Sequence, residues 1–492
     1  MFKDSKQADY ETLRRSSLSK GVNAENQDRS LDSCMGLKSQ LDNSPAINAE
    51  WGLPPTNEGA RKGVKTAAQE QKNTSNGLKA DVLQVGHSLS YVGLFLFTFV
   101  LYFRPYELFS ALSSLTSLAF WIAVPTLIIF FTSQFSLEGN LTARPREVNL
   151  VLLFVLAALI SMPLAINPGD SWEAFNKEFI KAVLMFIVIV NVVRTERRLR
   201  GVLFLALAVS CFLSVKAVID YSRGNFTISG DRIGGAVGGM FGNPNDMALH
   251  LVTMLPVAIT FFFMRRNPFA RIGYLLCSVL IVAGIVVSFS RGGFLGLLAA
   301  GGLLAWKLGR RHRLAVVLCG VLALVAFVAV APAEYGSRMG SIANSSRDLT
   351  GSFNARRELL FRSILVTLRH PLLGVGMGNF HILSIHEAVS HNAYTQVSSE
   401  MGIYALVIYF WFIVTPLRGL RRIESETMGD GAASRFYYFS VGLQAALAGY
   451  MVSSFFASVA YNFYVYYLVG YAVCVRRMYM AARAEDAKQS KQ

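Results

Sequence analysis

Long apolar segments follow one another from about residue 88 to residue 475, separated by short polar stretches. Most of them approach the ~20 residues that an α-helix needs to cross a bilayer. Only 16% of the 492 residues are charged and 53% are hydrophobic, whereas a soluble domain has about 25% charged residues. The sequence therefore predicts an all-α, polytopic membrane protein with about twelve transmembrane helices. The predicted spans are 88–103, 111–133, 148–166, 179–193, 201–219, 246–264, 272–290, 292–307, 314–332, 400–417, 435–457 and 459–475.

The ends of the chain differ in composition from this region. Residues 1–86 are rich in Ser, Asn, Gln, Asp and Lys and show no helical or alternating periodicity, so we expect a disordered cytoplasmic tail. The membrane domain then covers 87–480, and 481–492 forms a short cytoplasmic C-terminal tail. Four of the five cysteines fall in apolar runs and none has CxxC spacing, which favours packing residues over disulfides or a zinc site.

The positive charge predicts the orientation of the spans. The net charge is +16, and residues 1–86, with 12 basic and 11 acidic side chains, account for only +1 of it. The remaining excess is concentrated in every second loop and after the last span, which places these loops and both termini in the cytoplasm. Basic residues interleaved with apolar spans also argue against a nucleic-acid-binding surface. The longest loop, 333–399, between helices nine and ten, is then periplasmic.

The 333–399 loop contains six arginines and no lysine. Arginine can hold a phosphate through two parallel hydrogen bonds, whereas lysine acts as a point charge. Phosphate binding is one interpretation, and scattered salt bridges to the acidic residues of the loop are the other. The arginines are Arg338, Arg347, Arg356, Arg357, Arg362 and Arg369.

Residues 354–369 have the spacing of an amphipathic helix at a membrane surface, with Leu360, Ile364, Leu365 and Leu368 along one face. Four histidines, at 370, 381, 386 and 391, lie in the same loop. Their spacing matches no zinc-binding pattern, so we expect neither a metal site nor another cofactor.

Three polar motifs are expected at the periplasmic ends of the spans. His391-Asn-Ala-Tyr leads into span ten, where a histidine suits proton transfer, although a capping role would also explain it. A Gly-rich loop ends in Asn243-Pro-Asn-Asp246 at the start of span six. Ser288-Phe-Ser-Arg-Gly-Gly293 breaks the apolar stretch 272–307 and puts Arg291 at the edge of the hydrocarbon, where a charge is costly and points to function.

Together these motifs resemble the O-antigen ligase and O-antigen polymerase family over residues 88 to 475. The motifs are Phe241-Gly-Asn-Pro-Asn-Asp-Met-Ala, Ser290-Arg-Gly-Gly-Phe-Leu, Arg356-Arg-Glu-Leu-Leu, His370-Pro-Leu-Leu-Gly-Val-Gly-Met-Gly-Asn-Phe and His391-Asn-Ala-Tyr, in that order. The resemblance implies catalytic roles for Arg291, for Arg356 or Arg357, and for His391. For substrate binding we add polar residues of the same regions, namely Arg232, Asn243, Asn245, Arg362, Asn392, Tyr394 and Glu400.

The resemblance implies an inverting glycosyltransferase of the bacterial inner membrane with a periplasmic active site. The predicted outer loops contain no DxD motif, so we expect arginines to act in place of a metal ion and the enzyme to be metal-independent. Its donor would be a glycan linked to undecaprenyl diphosphate, and its acceptor a lipid, a protein or another glycan. A ligase and a repeat-unit polymerase both remain open. A secondary transporter is the alternative class, but transporters tend to carry paired repeats and broken helices at the midplane, and the sequence has no matching halves.

Overall fold

The computed structural model describes residues 86–226, 232–330, 352–429 and 434–490. These residues form helices and connecting loops, without a β-sheet among them. The predicted tail, 1–86, lies outside the described residues except for Gly86, and so do residues 331–351 of the long loop. The main helices are α1 (Ser88–Phe103), α2 (Leu118–Glu138), α3 (Arg146–Ser161), α4 (Pro168–Ala174), α5 (Ile180–Val192), α6 (Glu196–Ser222), α7 (Pro244–Met264), α8 (Pro268–Val287), α9 (Arg291–Gly309), α10 (Arg313–Val330), α11 (Ser352–Arg369), α12 (Ala393–Met401), α13 (Ile403–Thr427), α14 (Ser434–Ser453) and α15 (Phe463–Gln489).

Each predicted span overlaps one of these helices, and the all-α polytopic fold is confirmed. In the described part of the chain, nine helices are long and apolar enough to cross a membrane. The fourth predicted span differs because a one-turn π-helix, Phe175–Phe179, joins α4 to the 13-residue α5. The tenth begins later than predicted, since Gly402, with φ +90°, separates α12 from α13.

Helix α7 lies in the interior of the bundle. It packs against α6, α8, α9 and α14, and 78% of the residues in its most apolar 18-residue stretch are buried. The corresponding fraction for α2 is 17%, and its Phe120 and Trp121 are 56% and 70% exposed. Apolar side chains with this exposure are suited to contact with lipid rather than water. The polar ends of α7 are therefore positioned by protein contacts, whereas α2 forms part of the outer surface.

Ion pairs join the helices at the end of the bundle where α3, α6 and α13 approach the basic loops. The Arg476 guanidinium of α15 holds the fully buried Glu147 carboxylate of α3 through two contacts of 2.6 Å. Arg194 similarly contacts Glu138 of α2 at 2.6 Å. Lys307 of α9 pairs with Glu424 of α13, and both are buried. Some of the basic residues used to predict orientation therefore also hold helices together.

Helix α11 confirms the helix predicted at 354–369, but it has two apolar faces. Leu359 and Val366 are buried against Val375 and Phe380. The predicted face is instead turned outward, with Ile364, Leu365 and Leu368 at least 41% exposed. This exposed face keeps the membrane-surface location as a prediction for α11.

Two of the cysteines lie close together across a helix pair. Cys211 Sγ of α6 is 2.9 Å from Cys277 Sγ of α8, and both thiols are free. Cys474 is buried in α15. Their burial agrees with a packing role.

The charge pattern predicts that both termini are cytoplasmic and that 333–399 is periplasmic. Reporter fusions at Gln134 and Arg310 should accordingly give cytoplasmic signals, and a fusion at Ser352 a periplasmic signal. A cytoplasmic signal at Ser352 would show that the predicted orientation is wrong.

Candidate functional site

Three helices begin at the same end of the bundle, and a side chain caps each of them. Asn243 Oδ1 accepts from Asn245 N–H at 2.8 Å at the start of α7. Ser290 Oγ accepts from Gly293 N–H at 3.1 Å at the start of α9. Asn392 Oδ1 accepts from two backbone N–H groups, at 2.9 and 3.1 Å, at the start of α12. Helix N-termini carry partial positive charge, so this end of the bundle is suited to binding an anion.

A cavity of about 220 Å³, here called the arginine cavity, lies between α9, α11 and the start of α12. Arg291, Arg356, Arg357, His391 and Asn392 line it. Its remaining walls are largely apolar, from Leu295, Leu360, Phe455 and Phe456. A cluster of guanidinium groups within apolar walls can bind an anionic group attached to an apolar chain.

A second cavity of about 380 Å³, here called the carboxylate cavity, adjoins the first. Its acidic lining consists of Glu178, Asp246, Glu387 and Glu400. His391 and Phe456 line both cavities. His391 therefore stands in the wall between a cationic space and an acidic one.

The surroundings of His391 keep its imidazole neutral. Burial, reinforced by the positive charge of Arg356, lowers the pKa of His391 to about 4. Its backbone N–H donates to Ser458 Oγ at 2.8 Å. The neutral side chain can accept a proton at ordinary pH. This value is well below the unperturbed histidine pKa near 6.5.

Glu400 is held in the floor of the carboxylate cavity. Its Oε2 accepts from Tyr461 O–H at 2.7 Å and from Gly378 N–H at 2.8 Å. Burial raises the pKa of Glu400 to about 7, although these two donors oppose the shift.

Glycine is required at position 374 because its φ is +64° and a Cβ there would lie 2.3 Å from the Glu400 backbone carbonyl carbon.

Left-handed backbone conformations occur at His391 itself and close to Arg291. His391 has φ +51°, and Phe289, two residues before Arg291, has φ +50°. Each such conformation costs about 1–3 kcal/mol for a residue other than glycine, and such residues cluster at functional sites. The bundle therefore holds both motifs in unfavourable conformations.

The Asn243 and Asn245 side chains both line the carboxylate cavity. Asn245 Oδ1 accepts from Arg232 at 2.8 Å and from Ser290 O–H at 2.9 Å. Asn245 thus links the start of α7 to the start of α9 next to Arg291. Arg232 reaches the site through Asn245 and does not line either cavity.

Two other candidate binding residues point elsewhere. The Tyr394 hydroxyl donates to the Met451 carbonyl at 2.9 Å, and the ring packs against Tyr409. Arg362 is exposed and donates to the Leu383 carbonyl at 3.1 Å. Neither lines the arginine or the carboxylate cavity.

Nine polar residues of the carboxylate cavity were missing from the sequence-based set. They are Lys177, Glu178, Asp246, His381, Glu387, Gln396, Ser458, Tyr461 and Asn462. Asp246 follows the Asn-Pro-Asn turn directly, so the motif itself pointed to it. His381 had no such signal, because its place depends on the fold of the Gly-rich turn, where its Nδ1 lies 2.8 Å from the Gly378 carbonyl oxygen.

The fold and the paired cavities define a multi-pass helical membrane protein with an arginine-lined cavity next to a neutral histidine. Residues 276–410 match the family model described as O-antigen ligase. This part of the chain is therefore similar to the O-antigen ligase family, which confirms the resemblance carried by the motifs. The matched residues include Arg291, Arg356, His391 and Glu400. No functionally curated protein matches the chain.

The match and the apolar helices together indicate a bacterial multi-pass membrane protein of polysaccharide biosynthesis that resembles membrane glycosyltransferases. The match also implies lipid-linked glycans as substrates.

Proposed function

We propose that the protein transfers a glycan from undecaprenyl diphosphate to an acceptor hydroxyl at the periplasmic face of the inner membrane. The observation that carries the proposal is the position of His391 in the wall shared by the arginine and carboxylate cavities. Glycosyl transfer needs a stabilised leaving group on one side of the reacting carbon and a base on the other. Two cavities that share a histidine meet this requirement.

The arginine cavity is assigned to the donor diphosphate. When the bond between the sugar C1 and the diphosphate oxygen breaks, its electron pair goes to the diphosphate, which gains negative charge. Arg291 and Arg356, with the start of α12, would stabilise that charge. Among the described residues, Asn392 Nδ2 is a buried donor without a hydrogen-bond partner, so it can donate to the same anion.

The contacts of the two arginines favour Arg356 over Arg357 as the loop arginine of the site. Arg356 lies close enough to His391 for its charge to lower the histidine pKa. The Arg357 guanidinium is 5.5 Å from the centre of the Phe361 ring, and its side chain is exposed. We therefore assign the second cationic role to Arg356.

His391 is assigned as the general base. The acceptor oxygen forms its bond to C1 while its proton passes to the imidazole. A single displacement of this kind inverts the configuration at C1. Bound diphosphate would offset the positive charge of Arg356 and so raise the pKa of His391 in the complex, making the imidazole a stronger base when the donor is present.

A ligase and a repeat-unit polymerase use the same step and differ in their acceptor. The cavities favour neither of these two. They do favour glycosyl transfer over secondary transport, because they lie where helices begin at one end of the bundle, whereas transporter sites lie near the bilayer midplane.

Arg291→Lys should be strongly impaired although it keeps the charge, because one ammonium cannot make the two parallel contacts of a guanidinium. The expected loss in kcat/KM corresponds to about 3 kcal/mol of transition-state stabilisation. Turnover of the purified variant measures it, with Arg223→Lys, an exposed arginine that lines neither cavity, as the control. If correctly inserted Arg291→Lys turns over substrate like the wild type, Arg291 acts only as an anchor at the membrane interface.

His391→Gln should reduce turnover by about 10²- to 10⁴-fold while donor binding persists. In the wild type, kcat/KM should fall on the acid side only near pH 4, the pKa of His391 in the substrate-free enzyme. The acid-side fall in kcat should lie at higher pH, because bound diphosphate raises the pKa of His391 in the complex. His370→Gln is the matched control because His370 is exposed and lines neither cavity.

His381→Gln extends the same experiment because His381 also lines the carboxylate cavity. We expect a smaller loss for this variant than for His391→Gln. Equal losses in both variants would mean that His391 is not the unique base, and near-normal turnover of His391→Gln would remove it from the mechanism.

Activity should survive exhaustive chelation, because the arginines are proposed to take the role that a divalent metal plays elsewhere. Glu178 and Asp246 line the carboxylate cavity, and carboxylates are ordinary ligands of magnesium. Chelation therefore tests whether a metal bound by these carboxylates contributes to turnover. Loss of turnover that magnesium or manganese restores would contradict the assignment.

A further inference from the structure

The connection between α14 and α15, residues 457–462, is here called the clamp segment. It follows the short 3-10 helix Ser454–Phe456 and ends where α15 begins at Phe463. The segment lies beyond residues 276–410, which match the family model, and it carries none of the five sequence motifs. Four of its six residues nevertheless line the carboxylate cavity, namely Ala457, Ser458, Tyr461 and Asn462.

The first contact of the clamp segment is with His391, just before α12. Ser458 Oγ accepts from the His391 backbone N–H at 2.8 Å. Ser390 donates its own hydroxyl to the Asn392 carbonyl at 3.0 Å, so the Ser458 hydroxyl donates to Ser390 Oγ at 3.3 Å. These bonds enclose the backbone of His391, whose φ of +51° is unfavourable for a residue other than glycine. Ser458 therefore holds His391 in a conformation that it would not keep by itself.

The second contact is at the other end of α12. The Tyr461 hydroxyl donates to Glu400 Oε2 at 2.7 Å, and Glu400 is the residue before the last one of α12. The Tyr461 side chain is buried, and its ring packs edge-on against Phe179 with the ring centres 5.8 Å apart. Helix α12 has nine residues, a length of about 13.5 Å. The clamp segment thus holds both ends of this short helix.

The clamp segment is itself fixed by the bundle. Val459 and Ala460 are 1% and 0% exposed. The Tyr466 hydroxyl of α15 donates to the Ala460 carbonyl at 3.0 Å, and Asn462 N–H donates to the Val459 carbonyl at 3.2 Å. A side chain that is locked by such supporting contacts keeps its position before substrate binds.

We propose that Ser458 and Tyr461 are positioning residues of the transfer reaction, which hold both ends of α12 and so keep the His391 imidazole in the wall between the arginine and carboxylate cavities. This proposal rests on the proposed function, in which His391 is the general base. Without Ser458 Oγ the His391 N–H would lose its partner, and the residue would relax toward a more common φ. The imidazole would then move relative to the acceptor, and a misplacement of about 1 Å can reduce a rate about 10²-fold.

Ser458→Ala and Tyr461→Phe should each lower kcat about tenfold, the equivalent of one hydrogen bond. The KM for the donor should stay unchanged, because neither residue lines the arginine cavity. Ser458→Thr keeps a hydroxyl and should retain turnover. Tyr467→Phe is the matched control, since it removes another buried hydroxyl of α15, which contacts Thr98 Oγ1 at 3.0 Å, and it should turn over like the wild type.

The double variant tests whether the two contacts act together. If Ser458 and Tyr461 hold one segment, the loss in Ser458→Ala/Tyr461→Phe should be clearly smaller than the product of the two single losses. A combined loss equal to that product would mean that the contacts act separately, and it would overturn the proposal. Wild-type turnover in both single variants would overturn it as well.

The pH profile distinguishes positioning from a loss of folded protein. In Ser458→Ala the released imidazole is more hydrated, so the pKa of His391 should rise from about 4 toward 6.5. The acid-side fall of kcat/KM should then move to higher pH, whereas a smaller folded fraction would scale the whole profile and leave its midpoint near pH 4. The substitution changes none of the charged and titratable groups that line the two cavities around His391, which are Lys177, Glu178, Asp246, Arg291, Arg356, Arg357, His381, Glu387, Glu400 and Tyr461.

Chemical labelling measures the position of His391 without any transfer. Diethyl pyrocarbonate modifies neutral imidazoles, and mass spectrometry of the purified protein gives the rate at each histidine, with the exposed His370 as internal reference. His391 should be labelled about tenfold faster in Ser458→Ala and in Tyr461→Phe than in the wild type or in Tyr467→Phe. Unchanged labelling in both variants, or an unshifted acid limb in Ser458→Ala, would overturn the proposal. Failure of the proposed function looks different, because His391→Gln would then keep its turnover while the labelling of His391 was still faster in both clamp variants.

Discussion

In a bilayer the backbone N–H groups at the start of a helix have no water to bond with, so each must find a protein partner or a ligand. At one end of this bundle α7, α9 and α12 begin together, and Asn243, Ser290 and Asn392 satisfy only part of their N–H groups. The remaining positive character is directed at the region where Arg291 lies. The proposed anion site thus follows from the way the helices begin, and the arginines add formal charge to it.

The same contacts fix the geometry of the site. Asn245 Oδ1 receives hydrogen bonds from Arg232 and from Ser290, so α7 and α9 are joined next to Arg291. Asn392 uses its oxygen to cap α12, which leaves its Nδ2 group available. Because these links are side chains on rigid helices, the arginine, the amide and the histidine keep their relative positions before any substrate binds.

The sequence predicted more of the fold than of the site. Apolar runs predicted the helices because membrane spans need length and hydrophobicity, both of which are local properties. The division at Ser288–Gly293 was predicted correctly because glycine and a charge interrupt the run. The exact ends were not, since Gly402 and the π-helix at Phe175–Phe179 depend on tertiary packing.

The motifs similarly identified Arg291 and His391, but the partners came from distant elements. Lys177 and Glu178 carry no motif, and only the fold brings their π-helix next to Asp246 at the start of α7. The pKa of His391 could not be predicted either, because it depends on burial and on Arg356 from a separate helix. Single positions in a sequence do not contain this information.

The placement of opposite charges on the two sides of His391 gives the proposed reaction a direction. With the arginine cavity empty, burial and, to a smaller extent, the charge of Arg356 disfavour the imidazolium, so the histidine holds no proton and is ready to accept one. A diphosphate in that cavity would offset the Arg356 charge when a proton must be taken from the acceptor. Donor binding and base strength are therefore coupled through the one residue that both cavities share.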